Sequence, residues 1–355
     1  MKVSVSINMT TADKPQLSIL QSGAGRMDRD AFGRFVEQYR SEIKLHGYRM
    51  MGSIQEAEDL VQETFLRAWR GLDGFEGRGS VRGWLYSIAT NTGLNMLAAR
   101  ANARRLLPNL KAPPSTRLPE GQPASEIDWV EPYPDFDLEG IADGAAGPDA
   151  RYEMRESVQL AFVAAIQQLP PRQRAVLLLC DVMGWSAKEA ADLLGGSVAS
   201  VNSAIQRARN TLAKQYPDGQ PLTRPAPSER QRALLDRYLR AWEHGDLNGF
   251  IDLLRNDATY SMPPWSQWYR GHEAIRAFFA HVWNSYGSFR LIPTGANRQP
   301  AFAVYSRGKT EAIFRAHSIQ LLELEDDGVA SLTKFVGPVG PRLFVYFRLP
   351  PQLPG

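Results

Sequence analysis

One cysteine, five histidines and no apolar run of membrane-spanning length bound what this 355-residue chain can be. A lone cysteine excludes a disulfide within the chain, and Cys180 sits in Val176-Leu-Leu-Leu-Cys180, where it reads as a small buried hydrophobe. The histidines are scattered, with no spacing that suits metal ligands, so no metal and no other cofactor is expected. No stretch approaches the roughly 20 apolar residues of a membrane span. Residues 1–26 are polar and lack the apolar core of a signal peptide, so a cytoplasmic protein with a short disordered leader is expected. The net charge of +3 is too small to demand or exclude nucleic acid, and local charge has to decide. Length allows two or three domains.

The stretch from Ser53 to Leu72 organises the first of them. Ser53-Ile-Gln-Glu56 is a capping box, in which serine and glutamate satisfy each other's orphan amides at a helix start. Leu60/Val61, Thr64/Phe65, Ala68/Trp69 and Leu72 then recur at helical spacing as one apolar stripe. Glu56, Glu58, Asp59, Gln62, Glu63, Arg67 and Arg70 are left on the other face. Helices are expected before it, from Asp28 or Asp30 with Phe32, Phe35, Val36 and Tyr39 inward, and from Ser41 to Met51. After it come a Gly-rich loop at 75–80 and one long helix from Val81 to Arg105 that ends on Arg100, Arg104 and Arg105.

Residues 108–150 differ. They hold 8 prolines and 9 acids against only Lys111 and Arg117, which reads as an extended acidic linker. A helix is expected again over 151–168. Pro170-Pro171 opens the next, and Ser186-Ala-Lys-Glu189 is a second capping box whose short helix ends at Gly195-Gly196. Ser197 caps a last helix to about Gln215. Helix, Gly turn, helix is the helix-turn-helix pattern. In the last helix Val198, Val201, Ile205, Ala208 and Leu212 are spaced to face inward. Ser200, Asn202, Ser203, Gln206, Arg207, Arg209 and Asn210 are left outside, with no acid among them. Asn and Gln read adenine, and Arg reads guanine or holds phosphate, so this face suits a DNA major groove.

The wording of both segments points further. Ala57-Glu-Asp-Leu-Val-Gln-Glu-Thr-Phe-Leu-Arg-Ala-Trp69 with Gly83-Trp-Leu-Tyr-Ser-Ile-Ala-Thr-Asn91 resembles domain two of the extracytoplasmic-function sigma factors of RNA polymerase. Leu169-Pro-Pro-Arg-Gln-Arg-Ala-Val176, Trp185-Ser-Ala-Lys-Glu-Ala-Ala-Asp-Leu-Leu-Gly195 and Ser203-Ala-Ile-Gln-Arg-Ala-Arg209 resemble domain four of the same family. The resemblance implies a promoter-recognition protein whose partners are core RNA polymerase, at its clamp and flap, and promoter DNA. It implies that Glu56, Asp59, Gln62, Glu63 and Arg67 face polymerase. Ser80, Trp84, Ser87, Asn91, Arg100, Arg104 and Arg105 would serve the −10 element, and Ser200, Asn202, Ser203, Gln206, Arg207 and Arg209 the −35 element. It also implies that the acidic linker threads a polymerase channel built for nucleic acid. Such a protein is found on the nucleoid when bound to polymerase.

From Ser228 the composition changes, with 19 of the 35 aromatics in the last 128 residues. Helices are expected over 229–244, 247–254 and 272–283, and strands over 258–262, 301–306, 312–323 and 331–336. Tyr238-Leu-Arg-Ala-Trp242, Asp257-Ala-Thr-Tyr260, Tyr269-Arg-Gly-His-Glu-Ala-Ile275 and Phe335-Val-Gly337 resemble the SnoaL-like, cone-shaped domain appended to a subset of these factors. The expected fold is therefore multidomain: two all-α modules, 27–107 and 151–217, and an α+β cone at 228–350 after a linker at 218–227. The resemblance implies that the cone tunes sigma activity, by an intramolecular contact or by a small ligand. Tyr260, Met262, Trp265, Trp268, Tyr269 and Trp283 are candidates to line its pocket. His272, His281, His317 and Asp257 fall into no catalytic spacing, and no enzymatic activity is expected.

Overall fold

The structure, a computed structural model, describes residues 29–72, 75, 80–100, 104–119, 121–123, 129–139, 141, 158–215, 228–325 and 328–355. The expected leader, most of the loop at 75–80, the end of the connector and the linker at 218–227 lie outside the described residues. The chain forms two compact units, one from residues up to 104 with 137–220, the other from 105–136 with 221–355.

The first unit is all helical. Helices α1 (Arg29–Glu37), α2 (Arg40–Met51), α3 (Ile54–Gly71) and α4 (Val81–Ala99) form one module. Ser53 caps α3 by accepting from the Glu56 amide at 3.4 Å, and the Glu56 carboxylate pairs with Arg100 at 2.8 Å. Ala57, Leu60, Val61, Thr64 and Ala68 are buried, as the helical stripe requires. Helices α5 (Leu160–Ile166), α6 (Pro171–Leu177, continued by a π-helical turn to Val182), α7 (Ala187–Leu194) and α8 (Val198–Gln215) form the second module. The Ser186–Glu189 capping box is closed in both directions, and Gly195 ends α7 at φ 62°, a backbone that favours glycine.

Arg174 joins the two modules. Only 2% exposed, its guanidinium donates to the carbonyls of Ile166 (2.9 Å), Gln167 (2.8 Å) and Leu169 (3.2 Å) and to Gln167 Oε1 (2.7 Å). It also donates to the carbonyl of Met50 at the end of α2. Gln167 Nε2 donates to the neighbouring Arg49 carbonyl at 2.9 Å. These carbonyls have no partner within their own helix, and they carry the negative end of its dipole. Burial, with Arg104 and Arg100 nearby, pulls the Arg174 pKa down to about 9.

The second unit is a curved sheet with helices on its inner face. Helices α9 (Glu229–His244), α10 (Leu247–Ile251) and α11 (Gly271–Ser285) accompany strands β1 (Leu254–Ser261), β2 (Trp268–Arg270), β3 (Ser288–Ala296), β4 (Gln299–Arg307), β5 (Ile313–Glu325) and β6 (Gly328–Phe335). The order is β2-β1-β6-β5-β4-β3; β1 and β6 are parallel and the other pairs antiparallel. Helix α12 (Val339–Tyr346) and strand β7 (Gln352–Pro354), which pairs with β5, close the chain. Aromatic side chains line the concave side: Trp242 lies 5.3–5.9 Å from Phe250, Phe279, Trp283 and Phe289.

The connector differs most from expectation. The described residues between 105 and 136 are not free extended chain; they belong to the second unit. Val130 and Tyr133 are fully buried and Trp129 nearly so. The cause is apolar content within the acidic, proline-rich stretch, coupled to satisfied backbone. The β3–β4 turn places Asn297 (φ 56°) and Arg298 (φ 58°) in the left-handed conformation typical of tight hairpins. Asn297 Oδ1 accepts from the Tyr133 amide and the Asn297 amide donates to the Tyr133 carbonyl, both at 2.8 Å. The Arg298 amide donates to Asp135 at 2.7 Å, Arg342 pairs with Glu131, and the Arg348 guanidinium lies 4.2 Å over the Phe136 ring.

Replacing Arg174 with alanine strips donors from four buried carbonyls, so a loss of about 3–5 kcal/mol is expected for the first unit. Urea unfolding of the full chain measures it. Arg174→Lys should recover little, because an ammonium lacks the planar five-donor fork.

Candidate polymerase, DNA and ligand surfaces

On α3 the side chains of Asp59, Gln62, Glu63 and Arg67 form an outward row at helical spacing, with Glu63 and Arg67 paired at 2.6 Å. Glu56 stands apart, held by Arg100. The α3 surface therefore offers a mixed polar stripe, with Glu56 paired off the row to Arg100 and Glu63 paired within it to Arg67.

The expected −10 residues are only partly brought together. Ser80 caps α4, accepting from the Gly83 amide at 3.0 Å. Trp84, Ser87 and Asn91 follow it at spacings of 4, 3 and 4 on one side of the helix. Trp84 is half-buried, its ring 4.7 Å from Phe75. This packing leaves an aromatic face beside exposed Asn91. The arginine cluster is split: Arg104 is exposed and Arg100 pairs with Glu56, whereas Arg105 is 9% exposed in the second unit and donates to the Trp129 carbonyl at 3.4 Å. Arg105 goes inside because the chain enters the second unit at that residue.

Helix α8 presents Asn202, Ser203, Gln206, Arg207, Arg209 and Asn210 outward. Val201, Ala204, Ile205 and Ala208 are buried against the preceding helices. Val198, expected inside, is 44% exposed; it is the first residue of the helix, and its side chain leans back past the packed turn. Ser200 is engaged in the cap, its amide donating to Ser197 Oγ at 3.1 Å and its hydroxyl to the Ser197 carbonyl at 2.7 Å. Arg209 is held by both oxygens of Asp181 at 2.7 and 2.9 Å, which raises its pKa further. Gln206 Nε2 donates to Asn210 Oδ1 at 3.3 Å. The outer face is thus polar, basic and pre-oriented, as groove insertion requires.

Within the cone, Tyr260, Met262 and Tyr269 are buried core residues, and Trp265 and Trp283 pack partly buried against them. They pack together on the concave side of the sheet. Trp268 turns to the connector: its Nε1 donates to the Ala112 carbonyl at 2.6 Å, and Tyr269 OH donates to the Arg117 carbonyl at 3.0 Å. The sequence reading missed Lys334. It is 2% exposed, faces Gln320 across β5–β6, and its Nζ lies 4.6 Å from the Trp242 ring centre and 5.5 Å from that of Phe289. Burial pulls its pKa down to about 7. Strand alternation was the available signal, since Leu332 and Lys334 share the inner face. Desolvating an ammonium costs several kcal/mol, and a buried cation–π contact returns only about 2. Among the described residues no carboxylate pairs with it. No group of three or more His, Cys, Asp or Glu among them has metal-site geometry, and no helix among them is long and apolar enough to cross a membrane.

Comparison with known proteins matches these surfaces to three families: Sigma-70 region 2 over residues 35–103, Sigma-70 region 4 over 159–212, and the SnoaL-like domain over 235–332. The chain is 40% identical over 360 residues to the ECF RNA polymerase sigma factor SigG of Mycobacterium tuberculosis, covering 98% of this chain and 93% of that one. It is 31% identical over 193 residues to SigW of Bacillus subtilis, covering 54% and 91%. Its fold is similar to the crystal structure of the Mycobacterium tuberculosis extracytoplasmic function sigma factor SigJ, with a TM-score of 0.54, 22% identity, and 90% and 99% of the two chains covered.

Asn202→Ala combined with Gln206→Ala removes two candidate base-reading groups, and a direct base contact is worth about 1–3 kcal/mol. Transcription from a cognate promoter should fall at least tenfold (about 1.4 kcal/mol) while co-purification with core RNA polymerase is unchanged. A parallel loss of both would take α8 out of the DNA assignment.

Proposed function

The chain belongs to the extracytoplasmic-function sigma factors of RNA polymerase, and from that premise we propose that its C-terminal cone regulates initiation by holding the connector between the two promoter-reading modules. As a sigma factor it directs core RNA polymerase to promoters and starts transcription there, with regions 2 and 4 as the sigma modules. The sigma modules do no chemistry of their own, and the cytoplasm, where polymerase works, is their place of action.

The −35 and −10 elements lie roughly 25 base pairs apart, about 85 Å of duplex at 3.4 Å per pair. A module of this size has a radius of gyration of only about 11 Å. Two modules clamped together by Arg174 cannot occupy both elements. They have to separate, and the connector has to extend between them. At about 3.3 Å per residue, the 32 residues of 105–136 are most of the available reach, and they are folded into the cone. The observation that carries the reading is the reciprocal pair of 2.8 Å bonds between Asn297 and Tyr133. Release of the strap is then a precondition for full engagement. On α3, the outward row Asp59, Gln62, Glu63 and Arg67 is the docking surface for the polymerase clamp.

The test is run-off transcription with core polymerase and the full chain. Truncating the cone is a poorer test, because it would bare Trp129, Val130 and Tyr133. Asn297→Ala with Arg342→Ala loosens the strap and should raise transcript yield severalfold at limiting protein; an unchanged yield discards the strap mechanism. Asp59→Lys should weaken co-purification with core polymerase, and full retention would discard the α3 row.

A further inference from the structure

We propose that the inner surface of the cone around Lys334 is a binding site for a small organic acid, an apolar aromatic or aliphatic body with one carboxylate received by the Lys334 amine and the Gln320 side-chain amide. It deepens the regulatory reading of the cone by naming a ligand class, and it rests on that reading only for its consequence in transcription.

Four observations converge on it. Lys334 is fully enclosed on the concave face of the sheet without an anionic partner among the described residues, although removing an ammonium from water without one is strongly unfavourable. Its cross-strand neighbour Gln320, 0% exposed, accepts from Tyr238 OH at 2.8 Å through Oε1 and leaves Nε2 buried with no partner. An ammonium and an amide N–H on one face form a two-donor receptor for a carboxylate, whereas a cation ligand would be repelled. The walls are aromatic, with Trp242 and Phe289 against the amine and Trp283 5.3 Å from Trp242. Such walls accept a hydrophobic body.

Burial falls off toward one side of this group. Trp283 and Tyr286 at the end of α11 and His317 on β5 are half-buried, and the Trp283 Nε1 is a second buried donor without a partner. His317 is the extra residue of a bulge in β5, where Val304 pairs with Ser318 and Tyr305 with Ala316. Its ring bridges Ser318 Oγ at 3.0 Å and Tyr286 OH at 3.1 Å. Burial, with Lys334 nearby, holds its pKa well below the usual imidazole range. It is therefore a neutral neighbour, and Lys334 is the basic group that an acid would meet.

Isothermal titration of the full chain with benzoate, hexanoate and 2-naphthoate tests the site, with naphthalene-2-carboxamide as the uncharged comparison. At least one acid should bind saturably at one site, and at least tenfold more tightly than the amide. Lys334→Met should weaken that acid tenfold or more. Gln320→Glu is nearly isosteric, keeps an acceptor for Tyr238 OH, and supplies its own carboxylate to Lys334; it should abolish acid binding while the protein still melts cooperatively. If Lys334→Met does not fold, Gln320→Glu decides alone. Failure of all three acids to bind wild-type protein, or equal binding to wild type and the folded variants, overturns the site. An acid that binds through Lys334 yet leaves run-off transcription unaltered counts against the regulatory reading and leaves the site standing.

Discussion

A buried backbone must find partners for its N–H and C=O groups, and the connector meets that requirement with the β3–β4 turn. Tyr133 is fully buried, and both of its main-chain groups are taken by Asn297. The turn can do this because Asn297 and Arg298 both adopt positive φ, so side chain and main chain face the strap together. Asparagine tolerates that conformation better than most residues. Gly295 completes the fit, since a Cβ there would lie 2.6 Å from the Asp135 carboxylate. Once the strap is registered here, Glu131 reaches Arg342, Phe136 lies under Arg348, and residues 112–117 cover Trp268 and Tyr269.

The first unit solves a related problem with a different group. Helix α2 ends with carbonyls that no amide of its own helix can reach, and Arg174 and Gln167 of the second module supply the donors. A guanidinium with five N–H donors can be buried only where five acceptors converge, and here they do. This makes the contact specific, while the cost of desolvating the cation offsets much of its strength. A joint of that kind is well suited to opening when a partner offers equivalent contacts. It holds one arrangement without committing the modules to it.

Much of this was legible in the chain. The α3 stripe, the Ser186 cap, the Gly195 stop and the inner face of α8 follow from helical periodicity and capping chemistry, which are local. Strands β1, β4, β5 and β6 were visible as alternation. Strand β3 was not, because Pro293 and Gly295 interrupt it; an edge strand tolerates both. Helix α12 was hidden by Gly340 and Pro341 in its first turn, where proline costs little. The strap was misjudged for a deeper reason. Its prolines and acids describe a chain that cannot form helix, but Trp129, Val130 and Tyr133 declare their burial only when the surface that receives them is known. Arg105 and Lys334 belong to the same class: a charged residue reads as exposed until tertiary structure encloses it.

The charges of the connector acquire two uses on this reading. Glu131 and Asp135 are engaged by Arg342 and the Arg298 amide in the second unit, and Asp137 pairs with Lys44 at 2.6 Å in the first. On the proposed function the same acidic stretch has to leave these partners when the two sigma modules separate. Partly buried pairs of this kind are screened less by salt than surface ones, so salt alone is a weak lever on the cone's hold of the connector. The stronger hold comes from the apolar anchors Trp129, Val130 and Tyr133, whose burial does not depend on salt screening. A change that costs the cone its hold on Trp129 and Tyr133 frees the connector without altering a single charge.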